Sequence, residues 1–230
     1  MTAHPAVGKR KSQGFTLIEL LIVIAIILIL IAIALPNFLE AQIRAKVTRV
    51  KADLRTIHTA MEAYLQDWNQ YPPRSEDEFR PGANGLLQLT TPLKYLSEIP
   101  RDIFVMDGAP ADEPGNQNPV FWEMASTGPT LAQARGGARP FRNIHAFILY
   151  SHGPDVIDDF DGEGDWPWGG PGPQCSYVGD GIITTSFTPT NGTRSRGDIH
   201  EFGGTWKVGH WCLDLVEIVG AFWENRQFFN

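Results

Sequence analysis

Six carboxylates, Asp155, Asp158, Asp159, Asp161, Glu163 and Asp165, fall within eleven residues and are interleaved with Gly162 and Gly164. Calcium takes about six to eight oxygen ligands from carboxylates and carbonyls, and glycine permits the tight turns that bring them together. Asp159-Phe160-Asp161-Gly162 matches part of a calcium-loop pattern, but the full EF-hand spacing and its closing glutamate are absent. The segment reads either as a calcium loop or as a solvated acidic turn. Cys175 and Cys212 are the only cysteines and show no zinc-type spacing. In an exported domain they either pair or remain buried thiols. His145, His152, His200 and His210 would be the groups of an enzyme, but no Gly-x-Ser-x-Gly, His-Glu-x-x-His or glycine-rich phosphate loop accompanies them. Trp166, Trp168, Trp206 and Trp211 read as core in preference to an exposed glycan or partner platform.

One further carboxylate lies in an unusual place. Glu19 sits at the start of an apolar stretch whose run 20–35 carries no charge. At about 1.5 Å per residue that run covers about 24 Å of helix, and with Phe15, Leu17, Ile18, Phe38 and Leu39 it is long enough to cross a membrane. Lys9, Arg10 and Lys11 precede it, which by the positive-inside rule leaves residues 1–14 in the cytoplasm and the chain beyond Pro36 outside. A secretory signal would carry a small-residue cleavage site after its apolar region. Here the small residue, Gly14, comes before the run, so a cut there removes a basic leader and leaves the helix attached. The formal charge of -7 would then become -7 - 3 = -10. No basic block follows the first fifty or so positions, which argues against nucleic acid as a partner.

A carboxylate in a spanning helix costs about 2.5–3.5 kcal/mol on insertion scales, so Glu19 needs a partner, a proton or a wet position. Cleavage after Gly14 would free the amine of Phe15, one helical turn away, and pair the two within a chain or between chains. Gly14-Phe15-Thr16-Leu17-Ile18-Glu19 resembles the prepilin cleavage and methylation motif of type IV pilins and type II secretion pseudopilins. The resemblance implies a prepilin peptidase cutting after Gly14, N-methylation of Phe15, and alignment of subunits by Glu19. Pro36 falls where that family has a helix-kinking proline.

From 37 to about 71 a second helical stretch carries Val47, Val50, Leu54, Ile57, Met61, Tyr64 and Trp68 at alternating steps of three and four. That stripe is expected to pack on the chain's own sheet, and Tyr71-Pro72-Pro73 ends the helix. Strands are expected at 146–150, 181–186 and 198–202, with another possible at 206–215. Residues 107–142, rich in Pro, Gly, Ala and Asn, read as a long loop. The fold class is therefore α+β, a long N-terminal helix on a small antiparallel sheet. The organisation is a leader (1–14), a membrane and filament-core helix (15–36), an amphipathic helix (37–71) and an outer domain (72–230).

The outer domain resembles the G-type major pseudopilin of type II secretion. Asp67-Trp68-Asn69-Gln70-Tyr71-Pro72 and Ile99-Pro100-Arg101-Asp102 carry part of this likeness. Ser151, Gly153 and Asp155, with Gly197-Asp198-Ile199, carry the rest. The resemblance implies calcium held by Ser151, Asp155 and Asp198. Val156 stands where the family has glycine, and a long insertion separates the halves, so the site is kept, lost, or moved to Asp158, Asp159 and Asp161. It also implies a pseudopilus subunit at the inner membrane, assembling with further copies, minor pseudopilins and the inner-membrane secretion platform. A pilin of a surface fibre and an anchored domain that never polymerises are the other readings.

Overall fold

The structure, a computed structural model, describes residues 15–73, 85–104, 122–128, 144–160, 166, 183–192, 195–208 and 210–220. The chain divides into two compact units, Met1–Gln42 and Ile43–Asn230. A single helix, α1 (Leu17–Trp68), runs through the division and holds Pro36 in its interior.

In the first unit every large apolar side chain of α1 is exposed, from Leu17 at 78% to Leu39 at 50%. This part is apolar all round, which suits a lipid or protein-filled surrounding and not water. In the second unit α1 changes character. Val47, Val50, Leu54, Ile57, Ala60, Met61 and Tyr64 are buried along one stripe. Trp68, expected to close that stripe, is 44% exposed; its ring stacks on Tyr64 and its indole donates to the Tyr95 hydroxyl. The helix ends at Trp68, and Asn69 takes a left-handed conformation ahead of Tyr71-Pro72-Pro73.

The stripe faces a sheet of order β1-β2-β4, made of β1 (Glu123–Ser126), β2 (Ala146–Ser151) and β4 (Ile199–Gly204), antiparallel throughout. All six residues of β2 are buried, because this central strand is covered on both faces. Phe147 and Leu149 join the core with α1, Tyr71, Leu86, Leu89, Trp122 and Met124. Ala146, Ile148 and Tyr150 enter a second core with Phe160, Trp166 and Trp211. The period of two thus sends alternate residues of one apolar run into two different cores.

Three expectations need correction. Residues 107–142 are not all loop, since β1 lies within them. Its sequence, Glu-Met-Ala-Ser, has no strong alternation, and its strand state comes from pairing with the distant β2. The sheet is not single either: β3 (Ile183–Thr184), β5 (His210–Leu213) and β6 (Val216–Val219) form a second one. Its β3–β5 pair is parallel, as is the isolated bridge between Ser186 and Asp198. Trp166, Trp206 and Trp211 belong to the second core or pack against it, as the core reading had it; Trp168 lies outside the described residues.

Gly203 shows how tightly the first layer is fitted. It pairs with Phe147 across the ladder, and a Cβ there would stand 2.1 Å from the Phe147 ring. That ring cannot retreat, being held edge-on by Tyr71 and by His58. Gly203→Ala is therefore expected to destabilise the fold by about 1–3 kcal/mol through overpacking. Phe147→Leu in the same chain should recover part of that loss. Thermal melts of the single and double variants in detergent check this, and a neutral Gly203→Ala would show that the ladder yields freely.

Candidate functional site

Gly14 lies outside the described residues, and Phe15, 85% exposed, is still joined to it in this chain. Glu19 is not paired with Phe15. Its Oε2 accepts from the Thr16 backbone N–H (2.8 Å) and from the Thr16 hydroxyl (2.7 Å), while the Glu19 N–H donates back to Thr16 Oγ1 at 3.3 Å. This reciprocal capping box satisfies donors at the open start of α1. Thr16-x-x-Glu19 ahead of an apolar run is the sequence signal of this cap. Among the described residues one helix is long and apolar enough to cross a membrane, with none of its most apolar window buried.

The second site gathers where β2 ends and β4 begins. β2 delivers Ser151 and His152, β1 delivers Glu123, and the 3-10 turn Gly153–Asp155 with the chain after it delivers Asp155, Asp158 and Asp159. Asp198 precedes β4 and is fully buried. Its Oδ2 accepts from the Asp159 backbone N–H at 3.2 Å, and its Oδ1 is buried with no hydrogen-bond partner. Asp155 likewise has a buried Oδ2 without a partner, although its Oδ1 accepts a long bond from Ile157 N–H at 3.5 Å. Asp159 is committed, with Arg196 on one oxygen (2.5 Å) and the Gly197 N–H on the other (2.8 Å). The Ser151 side chain is also engaged, since its oxygen accepts from the Gly153 N–H at 3.2 Å and it hydrogen-bonds the buried Asp102 carboxyl. Asp161 lies outside the described residues.

Val156 holds a left-handed conformation (φ 61°) just after the turn. The position demands what glycine gives freely, and a β-branched residue there is strained. Glu123, Asp102 and Arg196 were not foreseen: Glu123 fell in a segment read as loop, and nothing in its neighbourhood marks it. Cys212 is disulfide-bonded; Cys175, the other cysteine of the sequence, lies outside the described residues.

The prokaryotic N-terminal methylation motif family matches residues 9–35. The chain is 46% identical over 61 residues to the type IV major pilin protein PilA of Myxococcus xanthus, covering 26% of this chain and 28% of that protein. It is 53% identical over 62 residues to the type IV wide pilus major component PilA4 of Thermus thermophilus, 27% of this chain and 47% of that one. It is 39% identical over 64 residues to the type II secretion system core protein G of Pseudomonas aeruginosa, 28% of this chain and 45% of that one. Over this N-terminal part the chain is similar to type IV pilins and pseudopilins. It spans less than half the length of each of these three relatives. No solved structure matches it. A long N-terminal helix followed by small, mainly antiparallel sheets is a pilin-like arrangement, and the apolar part of that helix is long enough to anchor the chain in a membrane.

The acidic site of this pilin-like protein is electrostatically crowded. Burial pushes the Asp198 carboxyl up to about 9, and Asp158 and Asp159 add to the shift against the pull of His152. Burial alone would lower His152, but its bond to Glu123 (Nε2 to Oε1, 3.0 Å) and the charges of Asp158 and Asp198 hold it up at about 9. Burial opposes ionisation of Glu123, yet His152 keeps its carboxyl below the usual range. Burial pushes His200 down to about 4. Between pH 6.5 and about 9 the folded chain retains protons on Asp198 and His152 that the unfolded chain has released, so stability falls as pH rises. His200 acts in the opposite sense only between about 4 and 6.5, and the Glu123 contribution is lost only in acid. In chelator, the melting temperature is expected to drop by several degrees from pH 6.5 to 9. His152→Gln should flatten the slope, and an unchanged slope in that variant would place the linked protons elsewhere.

Proposed function

We propose that the chain is a structural subunit of a type II secretion pseudopilus. It is inserted as a prepilin, cleaved after Gly14 by a prepilin peptidase, N-methylated on Phe15, and polymerised through α1 with further copies of itself and minor pseudopilins. The supporting observation is the first part of α1: an exposed apolar surface from Leu17 to Leu39, within a prepilin motif, with Glu19 at its start. Neighbouring copies would bury that surface after extraction from the membrane. In this reading the leader is cytoplasmic, the outer domain lies outside the inner membrane beside the secretion platform, and the chain is no enzyme. The reading as a surface pilin rests on the two relatives named as pilus major components. The pseudopilus reading rests on Asp155 and Asp198, the two carboxylates that the G-type resemblance makes calcium ligands. Both carry a buried oxygen without a partner, which is what an oxygen-seeking cation would use.

Two experiments test this. In the native host, membrane-extracted protein should begin at methylated Phe15 by mass spectrometry, and Glu19→Ala should insert but yield few filaments. Loss of the subunit should leave exported proteins trapped in the envelope while surface fibres persist; the reverse pattern would favour the pilin reading, and wild-type filament yield from Glu19→Ala would remove the assembly role. Separately, calcium should raise the melting temperature of the full chain in detergent. At about a hundredfold excess over the dissociation constant the gain is about 2.7 kcal/mol, or roughly 5–11 °C for a domain of this size. Asp155→Ala with Asp198→Ala should abolish that shift if the site is kept, and Asp159→Ala with Asp161→Ala should do so if the inserted loop has taken it over. A wild-type melt indifferent to calcium and chelator would make the loop an acidic turn.

A further inference from the structure

We propose that Glu123, His152 and Asp158 form a binding site for a borderline transition-metal dication of the zinc type, beside the carboxylates of Asp155 and Asp198. One ligand atom from each of the three lies within 4.8 Å of the others. His152 Nε2 and Glu123 Oε1 are 3.0 Å apart. Donors about 2.0–2.2 Å from a tetrahedral zinc stand roughly 3.3–3.5 Å from one another, so the three atoms need to shift by little more than an ångström.

The placement follows from the sheet. Glu123 pairs with Tyr150 across the β1–β2 ladder, and His152 lies two residues beyond Tyr150, on the same face. Both are carried by a strand pair that two cores hold in place. The Tyr150 hydroxyl donates to Glu123 Oε2 at 2.6 Å, which fixes one carboxylate oxygen and presents the other. This is the outer-shell support that orients metal ligands. Asp158 accepts from the Phe160 N–H at 2.9 Å through Oδ1, and its exposure gives an ion a way in.

A His152–Glu123 ion pair alone would be complete. Asp158 adds a second carboxylate, and Asp198, within electrostatic reach of His152 and Asp158, adds a third whose Oδ1 is buried and unpartnered. One imidazolium faces the two carboxylates of Glu123 and Asp158, and a dication replacing its proton would bring the three groups to neutrality. The imidazole selects the ion. Calcium and magnesium prefer oxygen, whereas a nitrogen with two carboxylates suits zinc, cobalt or nickel.

The test uses the full-length chain in detergent micelles after chelator treatment. Zinc is titrated by calorimetry, and cobalt(II) is followed by its visible absorption. The wild type should take one equivalent and give a cobalt band characteristic of a site with four or five ligands. His152→Ala should weaken zinc binding at least about tenfold and remove the band. Asp158→Asn, which alters an exposed side chain, should likewise weaken zinc binding and remove the band. His58→Ala, which removes the histidine paired with Glu201 at 2.9 Å, should bind zinc like the wild type. Absence of zinc binding by the wild type, or binding that survives both His152→Ala and Asp158→Asn, overturns the site. The calcium melt of His152→Ala keeps the two metals apart: a retained calcium shift with lost zinc binding separates this site from the Asp155–Asp198 reading.

Discussion

The apolar surface of α1 between residues 17 and 39 is exposed among the described residues, and most of what is distinctive in this helix answers that constraint. A helix is the form in which such a segment can leave water, because all its backbone groups are satisfied internally except at the ends. Its N-terminal end is the exposed weakness. Thr16 and Glu19 close it reciprocally, so the carboxylate that would be costly in an apolar surrounding first serves as a cap. In the proposed filament Glu19 would have to exchange this cap for a neighbour's cation. The barrier to that exchange is the strength of a capping box.

Beyond residue 43 the same helix meets different surroundings, and its sequence changes to suit them. A narrow apolar stripe replaces the all-round apolar surface, and the polar faces tie down where they can: His58 to Glu201 of β4, Tyr71 to Glu62, Tyr64 to Gln88. The packing of Phe147 over Gly203 and against His58 and Tyr71 joins helix, sheet and the turn after the helix at one point. β2 carries this contact on one face and the second core on the other. It is the element through which the outer domain is assembled, and the acidic site stands at its end.

The long helix, its stripe and β2 were legible because their signals are local and periodic: an uncharged run, steps of three and four, and a dense apolar pentapeptide. The strand at 199–204 was placed nearly to the residue for the same reason. The second sheet was not legible as a layer, because β3 is two residues long and is defined by its pairing with β5. β1 was hidden inside a polar, glycine-rich stretch and exists by virtue of its partner. At the acidic site, Asp155 and Asp198 were identified from a resemblance, and the structure adds what composition could not. Asp159 is satisfied by Arg196 and Gly197, the Ser151 side chain is used within the fold, and Glu123 arrives from a strand that sequence did not reveal.

Crowded carboxylates ordinarily relax by moving apart, but here the backbone prevents it. Gly197 (φ 119°) lies against the Ser186 backbone, where a Cβ would come within 2.6 Å, and Ser186 bridges to Asp198. On the facing side Val156 is held left-handed immediately after Asp155, and the β2–β4 ladder runs up to Ser151 and Ile199. With the positions fixed, the charge itself has to be changed. Arg196 pairs with Asp159, and burial with the neighbouring carboxylates favours the protonated form of Asp198. The proposed cation would be a third way, and it would give the buried oxygens of Asp155 and Asp198 a partner. Such an ion would compete with the proton, so the stability of this part of the chain would respond to both.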